Sequence, residues 1–173
     1  MKRKYLVGIS ILIVVFLAQF YSYYRGRSQN SDVYAQLQSL PGFDRKAVEG
    51  QYFVLHFWAK WCAPCAEEIP HLVNFARVAD EKLKGLKILA VSLDESLLQA
   101  KTILPNQGVG LPGNVVLLLD SQHIVAEALG SYQYPETYFY DPKGHVLEKW
   151  IGSQKWDSPE VIEYFTRKML TKP

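Results

Sequence analysis

The chain has 173 residues, 49% apolar and 21% charged, which suits one globular domain with a hydrophobic core plus an additional segment. Its net charge of +2 is unevenly spread: five of the 19 Lys and Arg, but none of the 17 Asp and Glu, fall in residues 1–30. Residues 31–173 therefore carry 14 basic against 17 acidic side chains, a net −3, and such a domain without a basic run excludes an electrostatic footprint for nucleic acid.

From Tyr5 to Tyr24 there is no Lys, Arg, Asp, Glu or His. As a helix these residues span about 30 Å, one bilayer core. Lys2, Arg3 and Lys4 precede the stretch, and Arg25 and Arg27 follow it. A cleaved signal peptide would have a shorter apolar region and small residues at a cleavage site. Here the stretch ends Phe20-Tyr21-Ser22-Tyr23-Tyr24, aromatic as at a membrane interface, with no Ala-x-Ala. Residues 1–24 are thus expected to be an uncleaved single-pass anchor with its basic end in the cytoplasm. A linker and lead-in segment over 25–39 and a folded domain over 40–173 follow.

Tyr52–Trp58 is a continuous apolar run of strand length, expected to be central and covered on both faces. From Cys62 to about Leu83, Ile69, Leu72, Val73, Ala76, Ala79 and Leu83 recur at helical spacing; Pro70 should kink that helix, and Gly85 ends it. Leu86–Leu93 reads as a second strand. Asp94 or Ser92 is the expected cap of a helix over Glu95–Leu104, and Pro105–Gly113 is a breaker-rich loop. A strand over Val115–Leu119, a helix over Gln122–Leu129 and a hairpin of Thr137–Tyr140 with His145–Ile151 about an Asp141-Pro142-Lys143-Gly144 turn come next. Asp157-Ser158-Pro159-Glu160 starts the last helix. This order predicts an α/β sandwich whose sheet is parallel in its early part and antiparallel in its late part.

Trp58-Ala59-Lys60-Trp61-Cys62-Ala63-Pro64-Cys65 holds both cysteines of the chain, between the first strand and the first long helix. Unpaired N–H groups and about half a positive charge at a helix N-terminus stabilise a thiolate there, and the thiolate is the nucleophile of disulfide exchange. Cys62 is the candidate attacking thiol and Cys65 the resolving one. A purely structural disulfide would close too short a loop to stabilise the fold much. A zinc site from Cys62, Cys65 and His71 lacks a fourth ligand, and c-type haem attachment would need His where Ala66 stands. No metal or cofactor beyond the redox-active cysteine pair is expected.

The cysteine motif with its tryptophans, together with Tyr134-Pro135-Glu136-Thr137 later in the chain, resembles the thioredoxin superfamily. Glu68-Ile69-Pro70 after Cys65, a helix–strand insert over about 95–119 and Pro135-Glu136-Thr137-Tyr138-Phe139 resemble its membrane-anchored TlpA/ResA and DsbE/CcmG-type branch. The resemblance covers roughly Leu40–Leu170. It implies a thioredoxin-like three-layer sandwich with a TlpA-type insert, preceded by the transmembrane helix. It further implies a cis-proline at Pro135 facing the cysteines, and a Tyr134 backbone that pairs with an extended substrate. Trp61 and Pro64 would border that substrate. Glu68 matches a glutamate that adjusts thiol ionisation. His56 stands where relatives carry Asp or Asn, and two readings of it are open: a neutral proton relay or charged partner for the thiols, or a hydrogen-bonded core histidine. His71, His123 and His145 read as ordinary surface or packed side chains.

The implied protein is a thiol–disulfide oxidoreductase of the bacterial inner membrane facing the periplasm. It would reduce disulfides of exported proteins, apocytochrome c among the candidates, and be recharged by a transmembrane thiol donor of the DsbD/CcdA kind. The same residues suit a disulfide-forming oxidant, and a redox-inactive module that holds partners in the cis-proline groove is the alternative from another class.

Overall fold

The structure, a computed structural model, describes residues 14–16, 19 and 33–170. The expected anchor over residues 5–24 lies outside the described residues except at 14–16 and 19, which are helical. No helix among the described residues is long and apolar enough to cross a membrane.

From residue 33 on, the elements are α1 (Val33–Leu37), β1 (Tyr52–Trp58), α2 (Ala63–Lys82), β2 (Leu86–Ser92), α3 (Leu97–Lys101), β3 (Val115–Leu119), α4 (Ile124–Ala128), β4 (Glu136–Tyr140), β5 (Val146–Ile151) and α5 (Pro159–Leu170). The five strands form one mixed sheet in the order β3-β2-β1-β4-β5. β1 is its centre, parallel to β2 (Val54 opposite Ile88) and antiparallel to β4 (Leu55 opposite Tyr138). Phe53 to Trp58 are buried, as an apolar run without alternation requires when both faces are covered.

Alternate residues of β1 serve different layers. Phe53 stacks on Tyr140 and meets the Tyr34 ring of α1, whereas Phe139 and Phe75 pack against Phe165 of α5. Ile69, Leu72, Val73 and Ala76 of α2 line the same side as Ile88 and Ala90. The result is a thioredoxin-like α/β sandwich with α2 and α5 on one face of the sheet.

α2 continues through Pro70; the proline is exposed on its outer side, while Cys65, Glu68, Ile69 and Leu72 face inward and hold the helix against the sheet. Two helix starts depart from the sequence reading. The cap of α3 is Ser96, whose Oγ accepts from Gln99 N, because Asp94 and Ser92 are turned toward each other and toward Lys60. α4 starts at Ile124 rather than Gln122: His123 takes a left-handed conformation and Asp120 accepts from both Val125 N and Ala126 N at 2.9 Å.

The β4–β5 turn rests on Gly144, whose φ is +83° and where an added Cβ would lie 2.8 Å from Tyr34 Cε2 and 3.3 Å from Val33 Cγ1. Gly85 has a similar φ of +86° but open space around it. Alanine at either site incurs a left-handed strain of about 1–2 kcal/mol. Gly144→Ala adds an overpacking cost of about 1–3 kcal/mol, so urea denaturation should show it less stable than Gly85→Ala by that margin.

Candidate active site

β1 delivers the cysteine motif at a fixed point. Leu93 N donates to Trp58 O at 2.9 Å, and the next residue clamps the motif itself: both carboxylate oxygens of buried Asp94 accept from Lys60 N, at 3.1 and 3.0 Å. Ser92 Oγ donates to Asp94 Oδ2 at 2.9 Å, which holds the carboxylate in place. Cys62 N then donates to Ala59 O and closes the turn into α2.

Cys62 is the N-cap of α2, and its sulfur accepts from Cys65 N at 3.3 Å, the place a Ser or Asp oxygen usually takes. Cys62 and Cys65 form a disulfide. Cys62 is 7% exposed and Cys65 wholly buried, so an incoming sulfur meets Cys62 first. Pro64 sits exposed in the first helical turn, where its missing N–H leaves no bond unmade. Across from the pair, the Tyr134–Pro135 bond is cis, and the Tyr134 carbonyl oxygen lies 3.5 Å from Cys62 Sγ. Trp61, 61% exposed, sets its ring edge to face with Tyr134 at 6.0 Å. The Tyr134 hydroxyl donates to Ser131 O at 3.1 Å.

Two ionisable groups lie beneath. Glu68 is on α2 and nearly fully buried; its Oε1 accepts from Gln154 N at 3.1 Å and from the Trp156 indole N–H. Its Oε2 is buried with no hydrogen-bond partner among the described residues. Burial pushes the carboxyl up to about 7, against the lowering pull of those two donors, of Ser153 and of His71. His56 is wholly buried on β1, with Nδ1 2.9 Å from Thr137 Oγ1 of β4 and Nε2 without a partner among the described residues. Its ring stands perpendicular to Trp156 at 6.0 Å. Burial pulls the imidazole down to about 3, which makes it neutral at physiological pH. Trp156 therefore touches both groups.

The residues after β5 were not singled out in the sequence. Gln154 and Trp156 hold Glu68, and Ser153 Oγ donates to Pro64 O at 3.3 Å, so this loop braces the start of α2. The one signal was a tryptophan in the polar run Ser153-Gln154-Lys155-Trp156-Asp157. His71 is exposed and pairs with Asp157 at 2.6 Å, and His145 pairs with Asp141 in the hairpin turn at 3.0 Å. His123 differs from both: its ring lies 6.4 Å from that of Tyr134.

A cysteine pair that opens a helix at the end of a central strand and faces a cis-proline defines a thioredoxin-like thiol–disulfide oxidoreductase. The AhpC/TSA family matches residues 34–149, well over half of the sequence, and the chain belongs to that family. It is 26% identical over 162 residues to the thiol-disulfide oxidoreductase ResA of Bacillus subtilis (strain 168), covering 88% of this chain and 87% of the relative. Among solved structures, StoA from Bacillus subtilis superposes with a TM-score of 0.55 at 22% identity, over 68% of this chain and 84% of StoA. A secreted Mycobacterium tuberculosis disulfide oxidoreductase homologous to E. coli DsbE superposes with a TM-score of 0.61 at 18% identity, over 77% of this chain and 98% of the other. Both superpositions show the fold.

The Glu68 carboxyl gives a stability signature. Its folded value, raised from the usual 4.5 to about 7, means the folded protein holds this proton more tightly than the unfolded chain. The resulting stabilisation is complete below pH 4.5 and is lost as pH rises through about 7. Relative to Glu68→Gln, the oxidised wild type should lose up to about 3 kcal/mol across that window, read from urea denaturation at pH 4.5 and pH 8.

Proposed function

We propose that the protein is a membrane-anchored, periplasm-facing thiol–disulfide oxidoreductase that reduces particular disulfides in exported proteins. The observation that carries this reading is the Cys62–Cys65 disulfide at the start of α2, with the more exposed sulfur 3.5 Å from the Tyr134 carbonyl beside cis-Pro135.

In the reduced enzyme the Cys62 thiolate attacks one sulfur of a substrate disulfide. An enzyme–substrate disulfide forms, and the other substrate sulfur leaves as a thiolate that takes up a proton. The Cys65 thiol then gives up its proton and attacks Cys62 Sγ. The second substrate sulfur departs and is protonated, and the enzyme disulfide is restored with two electrons passed to the substrate. Glu68 is the acceptor for the Cys65 proton: a carboxyl near 7 can take or return one at neutral pH. In the tautomer that donates from Nδ1 to Thr137, His56 Nε2 is left to accept a hydrogen bond, and an imidazole held near 3 stays neutral throughout. Trp61, Pro64 and the Tyr134–Pro135 segment receive an extended stretch of substrate, with the Tyr134 backbone as its pairing edge.

The uncharged stretch over residues 5–24 supports the anchor, with the domain outside the cytoplasmic membrane. A transmembrane thiol carrier of the DsbD/CcdA kind is the matching source of electrons, and apocytochrome c is one candidate substrate. The opposite direction, disulfide formation, uses the same residues and is decided by potential alone. A pure binding module would have no use for a resolving cysteine.

Cys62→Ser should abolish disulfide reduction, and Cys65→Ser should trap substrate in a mixed disulfide through Cys62, visible on non-reducing gels. If Cys62→Ser kept full biological activity, the binding-module reading would replace this one. Equilibration with glutathione or dithiothreitol should give a reduction potential around −270 mV, as for thioredoxin; a value around −120 mV would reverse the direction of electron flow. In cell fractionation the full chain should stay with the membrane pellet through alkaline carbonate washing.

A further inference from the structure

His123 belongs to no motif in the sequence, yet separate observations converge on it. It is one of three non-glycine residues with positive φ among the described residues, at φ 58° and ψ 20° just before α4. A residue with a side chain adopts that conformation at a cost of about 1–2 kcal/mol and keeps it only where its surroundings hold it. His123 N donates to Asp120 O at 2.9 Å, and the ring Nε2 lies 3.2 Å from Leu93 O. A carbonyl oxygen only accepts, so the imidazole carries its proton on Nε2 and donates there. The same ring meets Tyr134 edge to face, with centroids 6.4 Å apart and planes at 86°. Tyr134 meets Trp61 in the same manner, at 6.0 Å and 76°.

Leu93 is a fixed anchor. Its N–H is bonded to Trp58 O, and its neighbour Asp94 grips Lys60 N. His123 thus joins the side of the site that carries the cysteine motif to the side that carries Tyr134 and Pro135. Trp61, 61% exposed, leaves aromatic surface open beside Cys62.

We propose that His123 is a positioning residue that holds the Tyr134–Trp61 aromatic wall beside Cys62, and that this wall selects disulfides whose cysteine is flanked by an aromatic side chain. The inference rests on the disulfide-exchange reading and deepens it by naming a substrate class. A small disulfide reaches Cys62 without packing on the wall. A peptide with Phe or Trp next to its cysteine gains an aromatic contact that the wall must be in place to provide.

The test uses the full chain and the His123→Asn variant with dithiothreitol as reductant. Asparagine tolerates a left-handed backbone, so the substitution removes the ring while sparing the turn. The substrates are a peptide disulfide with Phe beside its cysteine, the same peptide with Ala there, and oxidised glutathione. The expected result is a KM about five-fold higher for the Phe peptide with kcat kept, the loss of about one aromatic contact. The KM for the Ala peptide, the rate with oxidised glutathione and the reduction potential should match wild type. Equal KM values for variant and wild type on the Phe peptide would overturn the inference. So would an equal loss on all three substrates, which would mark a general structural role. A wild-type protein that reduces none of the three substrates would overturn the exchange reading itself, and this inference with it.

Discussion

The site depends on one placement: a sulfur where a helix N-cap oxygen would ordinarily be. The first N–H groups of α2 have no partner inside the helix, and Cys62 Sγ takes one of them from Cys65 N. Once the disulfide is reduced, the same N–H and the positive end of the helix dipole favour the thiolate over the thiol. That advantage falls off within a turn, so the chain must arrive at α2 in one fixed geometry. β1 supplies it, because it is paired on both edges and buried on both faces. The Asp94 carboxylate completes the fixing by gripping Lys60 N two residues before the cysteine.

The antiparallel pairing of β1 with β4 then supplies the opposite side of the site. The register sets Thr137 across from His56 and Glu136 across from Phe57, so the residues just before β4 fall level with the end of β1. Cis-Pro135 and the Tyr134 carbonyl reach Cys62 for that reason, and the hydroxyl that holds His56 comes from the same strand. One strand pair sets both the cis-proline segment beside Cys62 and the buried imidazole.

What the sequence disclosed follows from what local pattern can encode. The strands and α2 were legible because each is an apolar run or a helical stripe bounded by Gly or Pro, and the dithiol was legible because its chemistry is contiguous. The brace on Glu68 was not: Gln154 and Trp156 lie 86 and 88 positions away, and only the hairpin β4–β5 brings them under α2. The same holds for the caps. Asp94 looked like a helix cap by local preference, but its carboxylate is occupied 34 positions upstream, at Lys60. His123 carried no local sign at all; its ring matters because of where Leu93 and Tyr134 come together.

The identity of residue 56 has an electrostatic consequence for Glu68. Both side chains touch Trp156, in a region that is almost free of solvent. A carboxylate at position 56 would set two acids against each other, and like charges in a dry site drive one of them far above neutrality. The imidazole avoids this by being neutral, as burial dictates, and still offers a nitrogen without a partner among the described residues. Glu68 is then left with desolvation opposed by hydrogen bonds from Gln154, Trp156 and Ser153 and by the attraction of His71, and that balance settles near 7. A neutral histidine there adds no charge to the buried region around Glu68.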